Sequence, residues 1–229
     1  IKFLDQGKTE RECVKQIVKL AQEHGYVDLT EVTKSGKSLK AGDKVYSVCM
    51  DKTVAMFQIG KKKLEKGMNI LGAHIDSPRM DVKQNPLYES EDFAYLDTHY
   101  YGGIKKYQWV TLPLALHGVI VKKDGSVETV NIGEDKSDPV FCVTDLLIHL
   151  AGEQMEKKAN KVIEGENLDI LVGSKPLKGE EKDAVKAGIL AILKDKYGMD
   201  EEDFMSAEIE VVPAGRAREA GLDKSMIMS

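Results

Sequence analysis

The chain has 229 residues, of which 42 % are apolar and 31 % charged, a composition that suits a folded protein with one large core or two smaller ones. Its 33 basic and 38 acidic residues leave a net charge of −5, which argues against a nucleic-acid partner. No apolar stretch reaches the roughly 20 residues that a membrane helix needs, so no membrane role is expected. Cys13, Cys49 and Cys142 are odd in number and lack C-x-x-C spacing, so they read as reduced thiols and point to a cytoplasmic protein.

In chain order, Thr9-Glu-Arg-Glu12 is a capping box, and Cys13, Ile17, Leu20 and Ala21 follow at helical spacing. Gly25 stands where a helix ends, so a helix is expected over Thr9–His24, with His24 beside its terminal carbonyls. Lys34 to Asp43 is a polar loop. Val45–Met50 and Thr53–Ile59 are expected strands, joined by a turn at Asp51-Lys52. Met68–Ala73 has the length and apolarity of a short buried strand. It runs into His74-Ile-Asp76 and is stopped by Ser77-Pro78. Polar groups just past strand ends form ligand crevices in open α/β sheets. An imidazole there can bind zinc, with a carboxylate two residues on accepting the other ring N–H. On its own, His-x-Asp is a weak motif.

After Pro78 the patterning changes. Asp81–Asp92 is polar and reads as a loop, Phe93–Tyr101 as an aromatic strand, and Gly102-Gly103 as a break. Trp109–Lys122 is a long apolar run interrupted by Thr111, Pro113, His117 and Gly118. Asp124-Gly125 marks a hairpin turn that returns through a strand over Ser126–Ile132. A helix is expected from Thr144 to about Asn160, with Leu146, Leu147, Leu150, Ala151 and Met155 on its apolar face. His149 falls beside that face and, taken alone, reads as a packed helix histidine. Glu164–Lys178 reads as a long loop, Glu180–Tyr197 as a second amphipathic helix burying Val185, Ile189, Ile192 and Leu193, and Ala207–Val212 as a strand. Ala214 to Gly221 is a small-residue loop carrying Arg216 and Arg218. The start at Ile1 and the stop at Ser229 suggest a piece of a longer chain, and a targeting segment before Ile1 stays open.

Taken together, Gly72-Ala-His74-Ile-Asp76-Ser-Pro78, Tyr101-Gly-Gly103, Trp109 with Leu114-Ala-Leu-His-Gly118, Ile148-His149-Leu150, and Ala214-Gly-Arg-Ala-Arg-Glu-Ala-Gly-Leu-Asp223 fall in one order and spacing. In them the chain resembles the aspartyl aminopeptidase / vacuolar aminopeptidase I family of dinuclear zinc exopeptidases. The resemblance implies an α/β fold, in which a zinc-exopeptidase-like proteolytic domain is interrupted by an inserted, largely β dimerisation domain. On that reading residues 1–84 and 204–229 are proteolytic and residues 85–203 are the insertion. The resemblance also implies a peptide substrate, two zinc ions per active site, and a homodimer that builds a higher-order homo-oligomer. His74 matches the first zinc ligand and Asp76 the carboxylate that orients it. His149 matches a histidine lent to the neighbouring subunit's site to hold the substrate carbonyl. The remaining ligands and the general base would lie beyond Ser229. The alternative reading is a non-catalytic self-association module. A phosphate-binding loop at Gly102-Gly103 or Gly215–Gly221 lacks the spacing that such sites need.

Overall fold

The first stable element of the chain is dictated by its caps. In the computed structural model, which describes residues 1–229, a short helix α1 (Lys2–Gln6) precedes α2 (Glu10–Glu23). The Thr9 hydroxyl accepts the Glu12 amide, and the Glu12 carboxylate accepts the Thr9 amide at 3.2 Å, so both halves of the capping box form. At the other end the His24 ring sits 2.8 Å from the Leu20 carbonyl, and Gly25 takes the left-handed φ of +80° that ends the helix. Cys13, Val14 and Ala21 are buried. Next come β1 (Val27–Asp28), α3 (Leu29–Lys34), β2 (Lys44–Cys49) and β3 (Thr53–Gln58), which form a three-stranded sheet in the order β1-β2-β3. The β2–β3 turn centres on Met50 and Asp51, both at positive φ, one residue earlier than expected. Gln22 Nε2 donates to the Tyr46 hydroxyl at 2.9 Å, tying α2 to β2.

Residues 78–215 form one compact unit, and residues 1–77 with 216–229 form the other. The former opens with β4 (Arg79–Ser90), pairs it with β5 (Phe93–Tyr101), and continues through β6 (Leu114–Val121), β7 (Val127–Ile132) and β8 (Cys142–Val143). A one-turn helix α4 (Gly152–Met155), β9 (Ile170–Gly173), α5 (Ala184–Tyr197) and β10 (Ala207–Pro213) complete it. The seven strands lie in the order β7-β6-β10-β4-β5-β9-β8, and every ladder between them is antiparallel. The chain then returns to the first unit, where β11 (Arg218–Ala220) pairs with β12 (Met226–Met228). There the Ala217 amide donates to Asp5 at 2.6 Å.

Alternation along these strands divides the large sheet into two different faces. One face carries Met80, Leu96, Leu114, Leu116, Ile120, Val130, Ile132, Ile209 and Val211, and joins Val185 of α5, Met199 and Phe204 in the core. The opposite face carries Arg79, Asp81, His117 and Glu210. At β6–β10 the backbones approach so closely that a Cβ on Gly118 would stand 1.9 Å from the Glu208 carbonyl oxygen.

Several expectations are corrected. Residues 81–92 are not a loop: Asp81 of β4 sits on the non-core face, Glu89 sits on the core side at α5, and the ladder shifts register between Val82 and Leu87, the stretch that holds Pro86. Glu91 and Asp92, at φ 50° and 63°, make the two-residue primed turn that closes this hairpin. The helix expected over 144–160 shrinks to Gly152–Met155. Leu146, Leu147, Ile148, Leu150 and Met155 are exposed, so no packing offsets the cost of helix nucleation. Asp145 also draws the Leu146 amide and Gln154 into local bonds. Part of the loop expected over 164–178 is β9, paired with β5 and β8. The strand expected at Met68–Ala73 is irregular and exposed, Leu71 completely, because no strand of the small sheet pairs with it. Within α5, Val185 is buried while Ile192 is half exposed. Part of the loop over 214–221 is β11. The compact units divide at 77/78 and 215/216, and β10, which pairs with both β4 and β6, lies within the larger one.

The start of α5 lacks a cap of its own, since Asp183 is left-handed and makes no side-chain cap bond. Glu89 of β4 replaces it, accepting the Val185 and Lys186 amides at 2.9 and 2.8 Å. Glu89→Ala is expected to destabilise the fold by about 1–2 kcal/mol, the usual worth of an N-terminal cap assisted by charge. Urea unfolding measures this, and an unchanged midpoint would show that α5 does not depend on Glu89.

Candidate functional site

His74 and Asp76 lie on the irregular segment between Gly67 and Arg79, in the first unit. The structure brings them together: His74 Nδ1 is 3.0 Å from the Asp76 backbone carbonyl and 3.5 Å from its carboxylate. Both acceptors favour a proton on Nδ1, which leaves Nε2 with its lone pair. The carbonyl, not the carboxylate alone, therefore orients the ring. The imidazole is 85 % exposed and Asp76 is 38 % exposed, so the free nitrogen is open to a ligand. His149 belongs to the other unit, in the exposed turn between Ile148 and Leu150. It does not pack beside Leu146 and Leu150 on a helix, because that helix is absent. Leu146 and Leu150 instead line an open cleft of about 640 Å³ with Val110, Asp145, Gln154 and Glu164.

Two polar clusters were not visible in the sequence. The larger is buried on the non-core face of the large sheet. There Arg79 Nε contacts Asp81 at 2.7 Å and Glu210 at 3.3 Å, and the guanidinium stacks 4.2 Å over the Tyr101 ring. Glu210 lies opposite both His117 and Asp81 in the ladders, and Asp81 lies opposite His99. His117 Nε2 is 3.1 Å from Glu134, whose other oxygen accepts the Gly215 amide at 3.4 Å. The only trace in the sequence was polar residues at alternate positions of apolar strands, a pattern that a solvent-facing sheet shares.

The smaller cluster joins β4, β5 and the residue before β9. Tyr88 donates to Asp169 at 2.5 Å, and Lys83 pairs with Asp97 at 2.7 Å. Burial pushes the Asp169 carboxyl above its ordinary range, although the Tyr88 bond opposes the shift. Burial and then the bond to Asp169 push the Tyr88 phenol upward, while the Asp97 bond raises Lys83.

The family model described as Aminopeptidase I zinc metalloprotease (M18) matches residues 3–229. The chain belongs to the M18 family. It is 62 % identical over 227 residues to a probable M18 family aminopeptidase 1 of Clostridium acetobutylicum, covering 99 % of this chain and 49 % of that protein. The crystal structure of an M18 aminopeptidase from Thermotoga maritima superposes with a TM-score of 0.92 at 46 % identity, over 99 % of this chain and 49 % of that one. The S. cerevisiae mApe1 dodecamer shares the fold, with a TM-score of 0.67 at 17 % identity, over 99 % and 50 % of the two chains. The chain thus spans about half the length of the relatives it matches.

Zinc is the metal in the M18 description, and the His74–Asp76 geometry suits one corner of its shell. An exposed imidazole Nε2 is the kind of donor that zinc takes, and the contacts at Nδ1 hold the ring in the way seen for metal-ligating histidines. Zinc takes about four ligands, and no group of three His, Cys, Asp or Glu side chains in this M18 chain stands close enough to hold an ion. The His74–Asp76 pair offers a single imidazole donor.

Proposed function

We propose that this chain is part of an aminopeptidase that removes N-terminal residues from peptides at a dinuclear zinc centre. The observation that carries the reading is the M18 match over residues 3–229, with His74 held by Asp76 and its Nε2 left open. His74 supplies one zinc ligand, and Asp76 fixes the ring through its carbonyl and carboxylate. Bound zinc supplies Lewis-acid polarisation of the scissile carbonyl and a water of lowered pKa. The other ligands and the general base come from sequence outside these 229 residues, in keeping with the half-length span of the chain on its relatives.

Residues 78–215 act as the self-associating portion. The support is the row of exposed side chains at Leu146, Leu147, Ile148 and Leu150, together with the dodecameric yeast relative. From this exposed turn His149 reaches the partner's site, where its ring donates to the substrate carbonyl oxygen as negative charge develops there. The enzyme works in the cytoplasm.

In the complete enzyme, His74→Ala is expected to lose a zinc equivalent and nearly all activity, while Asp76→Asn weakens zinc affinity or rate about 10–100-fold. Elemental analysis decides the first point, and full zinc content in His74→Ala would reject the ligand assignment.

His149→Ala should lower kcat far more than it raises KM, because the contact strengthens in the transition state. Mixing His149→Ala subunits with His74→Ala subunits gives one doubly defective and one intact site per mixed dimer, so activity partly returns. No recovery after confirmed subunit exchange would mean that His149 serves its own subunit.

Leu147→Glu is expected to shift sedimentation toward the monomer at an unchanged melting temperature, since Leu147 is 72 % exposed and supports no core. An unaltered assembly would place the interface elsewhere.

A further inference from the structure

The open cleft of the 78–215 unit has walls that are set by its own local bonds. At its inner end β8 pairs with β9, and the Thr111 amide donates to the Val143 carbonyl at 2.8 Å, which brings Val110 beside the strand. Asp145 then ties the two sides of the following loop together. One of its carboxylate oxygens accepts both the Leu146 amide and Gln154 Nε2, each at 2.9 Å. The turn between them is closed by the Leu150 amide on the Leu147 carbonyl, and α4 continues from it. The cleft so formed holds about 640 Å³, within the roughly 300–1,000 Å³ typical of ligand sites.

Its lining is of two kinds. Val110, Leu146, Leu150 and Ile163 give it an apolar wall, and Leu146 and Leu150 are 54 % and 70 % exposed, so they serve no core. Asp145, Glu153 and Glu164 bring three carboxylates against the single ammonium of Lys157, and none of these four groups is in a salt bridge. Thr144 and Asn167 add a hydroxyl and an amide at the same surface. Each part has a counterpart in a peptide. Leucine walls take apolar side chains, the hydroxyl and amide take backbone groups, and the surplus of carboxylates selects positive charge and rejects negative. Because Asp145 holds the loop in place before anything binds, little ordering is left to oppose association.

We propose that this cleft binds short peptide segments that combine apolar and basic side chains. The inference does not depend on the reading of His74 as a zinc ligand. Leu147 and Ile148, at the tip of the turn, do not line the cleft, so it shares only Leu146 and Leu150 with the row assigned to self-association.

The test is calorimetric titration of the complete enzyme with acetyl-Leu-Lys-Leu-Lys-amide and with acetyl-Leu-Glu-Leu-Glu-amide. Acetylation blocks the free amino end on which an aminopeptidase acts, so neither peptide is consumed. The basic peptide is expected to bind about tenfold tighter than the acidic one, with a difference that shrinks at high salt. Glu153→Gln combined with Glu164→Gln should weaken the basic peptide about three- to tenfold, and Leu150→Ser about tenfold. All three side chains are exposed, so the melting temperature should hold. Equal affinity for the two peptides, no binding of either, or binding unchanged in these variants overturns the inference. Binding of the basic peptide to Leu147→Glu protein alone would show that a second copy covers the cleft in the assembled enzyme, and that overturns it too.

Discussion

The large sheet depends on β10, the one strand that bonds to a distant neighbour on each side. Through seven paired positions with β6 and a shorter pairing with β4 it joins two hairpins that otherwise share no ladder. Its alternation sets the character of both faces: Ile209 and Val211 point to the apolar core, and Glu208, Glu210 and Val212 to the other side. With Glu210 almost fully buried, the neighbouring strands must bring compensating groups to it, because an unpaired buried charge is costly. Arg79 from β4 is such a group, with its Nε 3.3 Å from the Glu210 carboxylate. Gly118 lets the β6 backbone come close enough for the ladder to form.

Elements governed by local chemistry were legible in the sequence. The Thr9–Glu12 capping box, the Gly25 stop, the Asp124-Gly125 turn and the Ala207 strand needed only neighbours in sequence. The misreadings share one cause, in that local pattern was overruled by what lay within packing distance. Residues 144–160 have a helical apolar stripe but no surface to bury it on. Residues 81–92 look too polar for a strand, yet Asp81 lies opposite Glu210 of β10 and Glu89 caps α5, both far away in sequence. The Glu91-Asp92 turn lacks glycine, and its left-handed residues gave no warning.

The site divides the same way. His74 and Asp76 could be paired from a spacing of two, and the structure adds that the Asp76 carbonyl is the nearer acceptor. Family likeness, not periodicity, singled out His149, since the helical pattern around it suggested only a packed residue. Arg79, His117 and Glu210 escaped notice because strands buried on both faces and strands wet on one face can show the same alternation. Only the register between β4, β6 and β10 separates the two cases.

The β10 pairing also sets the order in which this unit can assemble. The hairpins β4–β5 and β6–β7 close over short turns and can form as soon as they are synthesised. The ladder that places Glu210 beside Asp81 must wait for the whole intervening segment, and it carries the larger loop-closure entropy. Until β10 docks, Arg79 lacks the Glu210 half of its clamp, and the core faces of both hairpins lie open along their inner edges. On the ribosome, the two halves of the seven-stranded sheet therefore join only after residue 213 has emerged.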